Sequence, residues 1–461
     1  MTKAKKINAT QGPLIPLIIS FVLPLILMTL IQKLFNAVDI AVLGSMADTV
    51  AMASVGATGT IISLILDSFF GISTGAKIVF SRAVGKNDPA ELQKTMDTSI
   101  TIASILGVFI AVIGLALSPM LLRLVDCPAE CFDGAVLYTR IYFLASPVNL
   151  IYNFGAALLT SWGDTRRPLY FAIIAGLANV LLNILLCLIL PQKVMAVAIA
   201  TVAAQAIGAV LVILRLCRME GTTKLRLRAM RPHASTAKQI FRLGIPVMLV
   251  NLIYPLANLQ IAAAINSYGV AAVAGNSASA TVEQMLGACR VSFGNAAATF
   301  VGQNLGAKKP DRVRDSFLNI LWIGMTLTLV FGTLLVVSAP LWLKLFLEGD
   351  AVATEYALIR VHIMLQFQFI STAVSVFSQT LHAFGYPIFG TLNSVVWILG
   401  FRTFWMNVIY PRVLTYQNLI TCFVVAWVCT LVCYAAILGV IYRRYRQGSS
   451  LPMGSSEILR A

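Results

Sequence analysis

Apolar residues run through this chain in long blocks, and polar ones cluster in the short gaps between them. Twelve apolar segments stand out, at 14–43, 50–80, 95–124, 136–161, 168–190, 194–217, 238–267, 270–303, 315–346, 353–383, 387–411 and 416–442. Most exceed the roughly 20 residues that cross a hydrocarbon core as a helix. The pattern predicts an all-α polytopic membrane protein with twelve transmembrane helices, tilted or kinked to fit their length.

Composition supports this. Of 461 residues, 59% are hydrophobic and 11% charged, against about 25% charged in a soluble domain. A net charge of +16 would suit nucleic acid if it formed one face, but the basic residues sit in short loops between apolar runs. That distribution is an orientation signal, so nucleic acid is not an expected partner and both termini are expected in the cytoplasm. The opposite loops carry acids such as Asp133 and Glu355. The basic start, MTKAKKINATQGP, leads into a full span without a signal-peptide cleavage site. Most of the eight cysteines lie inside apolar runs, as small hydrophobes do. Cys127 and Cys131 form the one tight pair in a loop, which leaves a disulfide open and makes a poor zinc site.

The halves repeat. Pro24 and Asn36 in the first span are 12 apart, as are Pro246 and Asn258 in the seventh. VGKNDPAEL (84–92) matches LGAKKPDRV (305–313), and SWGDTRRP (161–168) matches HAFGYP (382–387). Gly85 pairs with Gly306, Pro89 with Pro310 and Gly163 with Gly385, all at offsets of 221 or 222. Each half has an even number of spans, so the repeats insert in parallel, as two pseudo-symmetric six-helix bundles around a central cavity. The expected organisation is a bundle at 1–217, a cytoplasmic linker at 218–237, a second bundle at 238–446 and a tail at 447–461. One chain completes such a pathway. A monomer suffices, no obligate protein partner is implied, and the partners are a small-molecule substrate and membrane lipid.

A charge at bilayer depth is costly unless it is paired or wet, so it marks function by default. The candidates are Lys33, Asp39, Asp67, Glu283, Arg290 and Arg402. Asp39 shares a helix face with Asn36, beyond a bend that Pro24 permits by removing a helix hydrogen bond. Desolvation disfavours the charged form of a carboxylate there, which suits it to exchange a proton near physiological pH. The same group anchors sodium if neighbouring oxygens complete the shell. Asn179 and Asn183 share a face, as do Thr201 and Gln205, and they serve either as cation ligands or as interhelical hydrogen bonds. Asp67 and Glu283 either attract a cationic substrate or pair with a buried base such as Arg290 or Arg402. Gln205, Asn258 and Gln366 are the neutral candidates for the substrate cavity. No Walker, D-D-x-x-D or H-E-x-x-H pattern occurs, so neither ATP coupling nor an intramembrane enzyme is expected.

In order and spacing these residues resemble the prokaryotic MATE (multidrug and toxic compound extrusion) transporters over nearly the full length. LPLILMTLIQKLFNAVDIAVLG (23–44) resembles the family's first helix, and SRAVGKNDP (81–89) and GQNLGAKKP (302–310) its paired cytoplasmic loops. LTSWGDTRRP (159–168), ANVLLNILL (178–186) and VAIATVAAQ (197–205) resemble the loop after helix four, helix five and helix six. The resemblance implies an antiporter of a bacterial-type plasma membrane that exports organic, often cationic, compounds against a proton or sodium gradient, with no cofactor. It implies a cation site of Asp39, Tyr138, Asn179, Asn183 and Thr201. One position departs: the family's second helix-five residue is commonly aspartate, and here it is Asn183. A single carboxylate favours the proton over sodium. The alternative is a flippase for lipid-linked oligosaccharide or cell-wall precursors. Asp67 and Glu283 weigh against it, and Arg290 and Arg402 leave room for it.

Overall fold

The computed structural model describes residues 7–46, 49–125, 127–219, 224–347 and 349–447, except the side chains of 36–41, 43, 45–46, 49, 60 and 229. Helices follow one another throughout: α1 (Leu14–Met46), α2 (Thr49–Lys86), α3 (Pro89–Leu124), α4 (Ala129–Leu144), α5 (Ser146–Ser161), α6 (Arg166–Ile189), α7 (Lys193–Cys217) and α8 (Ala234–Asn266). The rest are α9 (Val270–Gly306), α10 (Pro310–Val337), α11 (Ala339–Leu347), α12 (Ala351–Arg360), α13 (Gln368–Ala383), α14 (Pro387–Ser394), α15 (Phe401–Phe404) and α16 (Tyr416–Arg446).

Among the described residues, eight helices are long and apolar enough to cross a membrane, and two bent pairs bring the number to ten. Two more spans complete the twelve. One is α9, 37 residues long but diluted by Gly, Ser and Asn. The other is the run from Pro387, where α14 and α15 alternate with π-helical Val395–Gly400 and Trp405–Ile409.

The bends fall at matching places in the two halves. The α4–α5 pair turns by 48° at Ala145, where Pro147 in the first turn of α5 has no N–H to continue the ladder. The α12–α13 pair turns by 41° after the π-helical segment Val361–Leu365. An inserted residue does there what proline does in the first half.

The repeat is also written in the backbone. Asn87 and Lys308 both take φ of 55°, and Gly163 and Gly385 take 93° and 87°. At both glycines the helix closes with a six-residue hydrogen-bonded turn: Asp164 N–H donates to the Leu159 carbonyl at 3.0 Å, and Tyr386 N–H to that of Leu381 at 3.1 Å. Asp88 starts α3 by accepting from the N–H groups of Ala90 and Glu91. Cys127 and Cys131 are free thiols.

By packing, the described residues form two units. One holds 7–8 and Leu23–Met248, the other Ala9–Val22 and Leu249 onward. The bundles read from chain order, 1–217 and 238–446, are thereby regrouped at 9–22 and 238–248. In the first unit the start of α8 lies against α2 with backbones nearly touching. A Cβ at Gly71 would meet Met248 and one at Gly75 the Ile240 carbonyl, while Gly244 faces Ile72. Such small-residue spacing is what lets membrane helices approach closely. In the second unit the chain start is pinned by polar contacts. Gln303 accepts from Ala9 N–H at 3.1 Å, and Arg312 donates to the carbonyls of Ala9 and Gly12 at 2.8 and 2.7 Å. Phe21 then packs edge-on to Phe300, 5.3 Å between ring centres.

This contact sets a first prediction. Gly75→Leu forces a branched side chain against the Ile240 carbonyl and should destabilise the protein by on the order of 3 kcal/mol, as overpacking does. Gly287→Ala, where an added Cβ meets nothing within 4 Å, is the control. Thermal melting of both in one detergent checks it, and a Gly75→Leu midpoint equal to wild type would refute it.

Candidate functional site

In the first unit, three expected residues meet between α6 and α7. Asn183 Nδ2 donates to Asn179 Oδ1 at 3.4 Å, and Asn179 Nδ2 donates to Thr201 Oγ1 at 3.5 Å. Thr201 Oγ1 donates its own hydrogen bond to the Val197 carbonyl at 2.9 Å. Asn179 and Asn183 are 6% and 0% exposed, so a chain of amides is held where unpaired polar groups would be costly. One turn on, Gln205 donates to the Tyr142 hydroxyl at 3.0 Å, and the Tyr142 ring stacks on buried Tyr138 at 6.0 Å. Tyr142 was not anticipated. Its spacing of four from Tyr138, on one helix face, is the signal that would have found it.

The first helix reaches the same group. Gly176 of α6 has the Phe35 ring where its Cβ would be, and Asn179 and Asn183 follow it on that helix face. Asn36 and Asp39 come next along α1, and their side chains lie outside the described residues. Pro24 stands inside a continuous α1, two residues from where packing passes from one unit to the other. Lys33 acts electrostatically on Asp67 of α2, so a base faces the carboxylate expected to draw cations.

The second unit carries the shortest ion pair among the described residues. Glu283 of α9 accepts from Arg360 Nη2 at 2.6 Å, with side chains 18% and 9% exposed. Arg360 Nη1 donates to Asn276 Oδ1 at 2.9 Å. Glu283 was expected to meet Arg290 or Arg402 if it paired, and the partner is Arg360. The correction has a local reason: Asn276 and Glu283 lie two turns apart on α9 and together take both arms of one guanidinium. Arg360 carries the same sequence signal as the other candidates, a charge inside an apolar segment. Arg402 instead donates from Nη1 to Asn258 Oδ1 at 2.9 Å. Both guanidiniums lie against Phe423, at 4.5 Å for Arg402 and 5.7 Å for Arg360. Gln366 sits at the bend before α13.

An open cavity of about 700 Å³ in this unit is lined by Lys344, Glu355, His362 and Gln417 among others, and by none of the expected site residues. No cluster of three metal-ligating side chains occurs among the described residues.

A family model described as MatE matches the chain twice, over 24–189 and 246–403. The two matches start at Pro24 and Pro246, one repeat apart. A Bacillus subtilis (strain 168) protein named probable multidrug resistance protein YoeA is 25% identical over 389 residues, covering 82% of this chain and 83% of its own. A Shewanella oneidensis protein named FAD transporter is 26% identical over 300 residues, 63% of this chain and 64% of its own. A crystal structure described as MATE in the straight conformation aligns with a TM-score of 0.87 at 18% identity, covering 96% of this chain and 100% of that one.

Proposed function

We propose that this chain, which belongs to the MatE family, is a cation-coupled antiporter that exports small organic compounds by alternating access, driven by protons in preference to sodium. It is a multi-pass membrane transporter and not an enzyme, and it works among membrane lipid on small-molecule substrates. Both termini are assigned to the cytoplasm from the basic loops, and the working unit to a single chain.

One observation carries the choice of ion. The oxygens of Asn179 and Thr201 already accept hydrogen bonds from Asn183 and Asn179. A sodium ion here would gain neutral amide and hydroxyl oxygens, with at most one carboxylate to offset its desolvation. A proton needs only Asp39. Asp39 is therefore given the exchange, the amide chain a neutral frame beside it, and Tyr138 a place at its edge. Asp67, Gln205, Glu283, Asn258 and Gln366 are assigned to substrate passage. The lipid-linked precursor alternative calls for a basic cavity; Glu283 neutralises Arg360 and leaves Arg402, so that reading is kept as the alternative. The names of the relatives point to drugs in one case and to a flavin nucleotide in another, so cargo of either charge is in scope.

The test is reconstitution in liposomes loaded with ethidium. A pH gradient should drive dye movement, and a sodium gradient at equal pH should not. Movement with sodium alone would overturn the ion assignment, and movement with neither would overturn drug export. Asn183→Asp, which restores a second carboxylate beside Asn179, is expected to introduce sodium-driven movement that wild type lacks.

A further inference from the structure

The second unit holds two buried arginines and one carboxylate. Glu283 is committed to Arg360 at 2.6 Å and acts on Arg402 only at longer range. Arg402 is 2% exposed, forms no ion pair among the described residues, and has its Nε buried without a hydrogen-bond partner. A charge so placed is costly unless it is met by an opposite charge or a full set of acceptors. Its hydrogen-bonded partner is the neutral oxygen of Asn258, and that residue is exposed. Asn258 thus stands between the accessible surface of α8 and an under-neutralised guanidinium behind it. The Phe423 ring supports the guanidinium at 4.5 Å, as a cation–π contact does in a planar anion site.

The internal repeat sharpens this. Asn36 and Asn258 are one repeat apart at 222 residues. Counted from the prolines near the start of their helices, Pro168 and Pro387, Asn183 and Arg402 are each fifteen residues on. The helix pair that carries Asn36 and Asn183 in the first unit carries Asn258 and Arg402 in the second. In the second copy, an amide has become a fixed positive charge.

We propose that Arg402, covered by Asn258, is an anion-binding subsite for the carboxylate or phosphate of a small organic molecule, so that the transporter accepts anionic or zwitterionic cargo. The anionic oxygens displace the Asn258 amide oxygen and take the free Nε–H with one Nη–H, the paired geometry arginine offers and an amide oxygen cannot match. This extends the export reading and rests on it for its physiological sense. The site itself is tested by equilibrium binding without any gradient, so either reading can fail while the other stands.

The probe is 1-pyrenebutyrate, titrated by fluorescence against purified protein in phosphatidylcholine nanodiscs, with uncharged 1-pyrenebutanol as control. Wild type should bind the butyrate at least tenfold more tightly than the butanol. Asn258→Asp places a built-in carboxylate on Arg402. It should raise the melting temperature and weaken pyrenebutyrate binding at least tenfold relative to pyrenebutanol. Arg402→Gln should show the same loss of preference, and if it does not fold the Asn258→Asp result decides. Pyrenebutyrate binding within twofold of wild type in Asn258→Asp, or no preference for the anion in wild type, would overturn the proposal. Repeating the titration in discs with phosphatidylglycerol separates the sources: a lipid headgroup as natural occupant competes, and a soluble anion does not.

Discussion

Asp39→Asn should reduce pH-driven ethidium movement to the level of protein-free liposomes. Asparagine keeps the shape of aspartate and removes its charge and its exchangeable proton. Ethidium binding at equilibrium should stay within about threefold of wild type, since coupling and cargo contact are assigned to different residues and a threefold change is less than about 1 kcal/mol. Asp39→Glu should recover part of the transport. The physical argument is one of linkage: a cation can bias the conformational equilibrium only by binding one state better than the other. With the proton site gone, the gradient has nothing to act on. Full gradient-driven movement in Asp39→Asn would move the exchange to another carboxylate, with Asp67 the next to try. Loss of binding together with transport would instead make Asp39 a cargo contact.

Glu283→Gln should produce the largest loss of stability among single polar substitutions in the second unit. It leaves Arg360 and Arg402, both against Phe423, without their nearest negative charge. Removing one partner of a buried ion pair costs about 3–5 kcal/mol, because the other charge remains desolvated. Arg360→Gln should cost a similar amount for the same reason. The double variant should melt closer to wild type than either single one, since an uncharged pair is cheaper to bury than half an ion pair. Asp67→Asn in the first unit, at an exposed position, should change stability by about 1 kcal/mol or less. The four variants melted side by side give the answer. A Glu283→Gln midpoint equal to wild type would mean that the pair is not what neutralises this region.

The twelve spans and the duplication of the halves were present in the chain, with helix ends displaced by up to seven residues, as where α4 begins at Ala129 rather than 136. These features are local. Membrane thickness sets the length of each apolar run. The turn before Pro89 and Pro310 and the left-handed glycines at 163 and 385 are dictated by residues within one helical turn. Asn179, Asn183 and Thr201 were also legible, as polar residues on single helix faces.

What met what was not legible. Spacing and hydropathy do not join Asn179 to Thr201, 22 residues on, which only the family resemblance groups, and nothing in the sequence chooses Arg360 over Arg290 and Arg402 as the partner of Glu283. Those choices follow from the rotation and height of each helix against its neighbours, which packing decides. The same holds for residues 9–22 and 238–248, which chain order assigns to one half and contacts assign to the other. Hydropathy reports that a segment is buried in an apolar phase. It does not report which helix covers it. The close approach of Gly71, Gly75 and Gly244, where a single methyl group would collide with backbone, is the kind of fit that makes that decision.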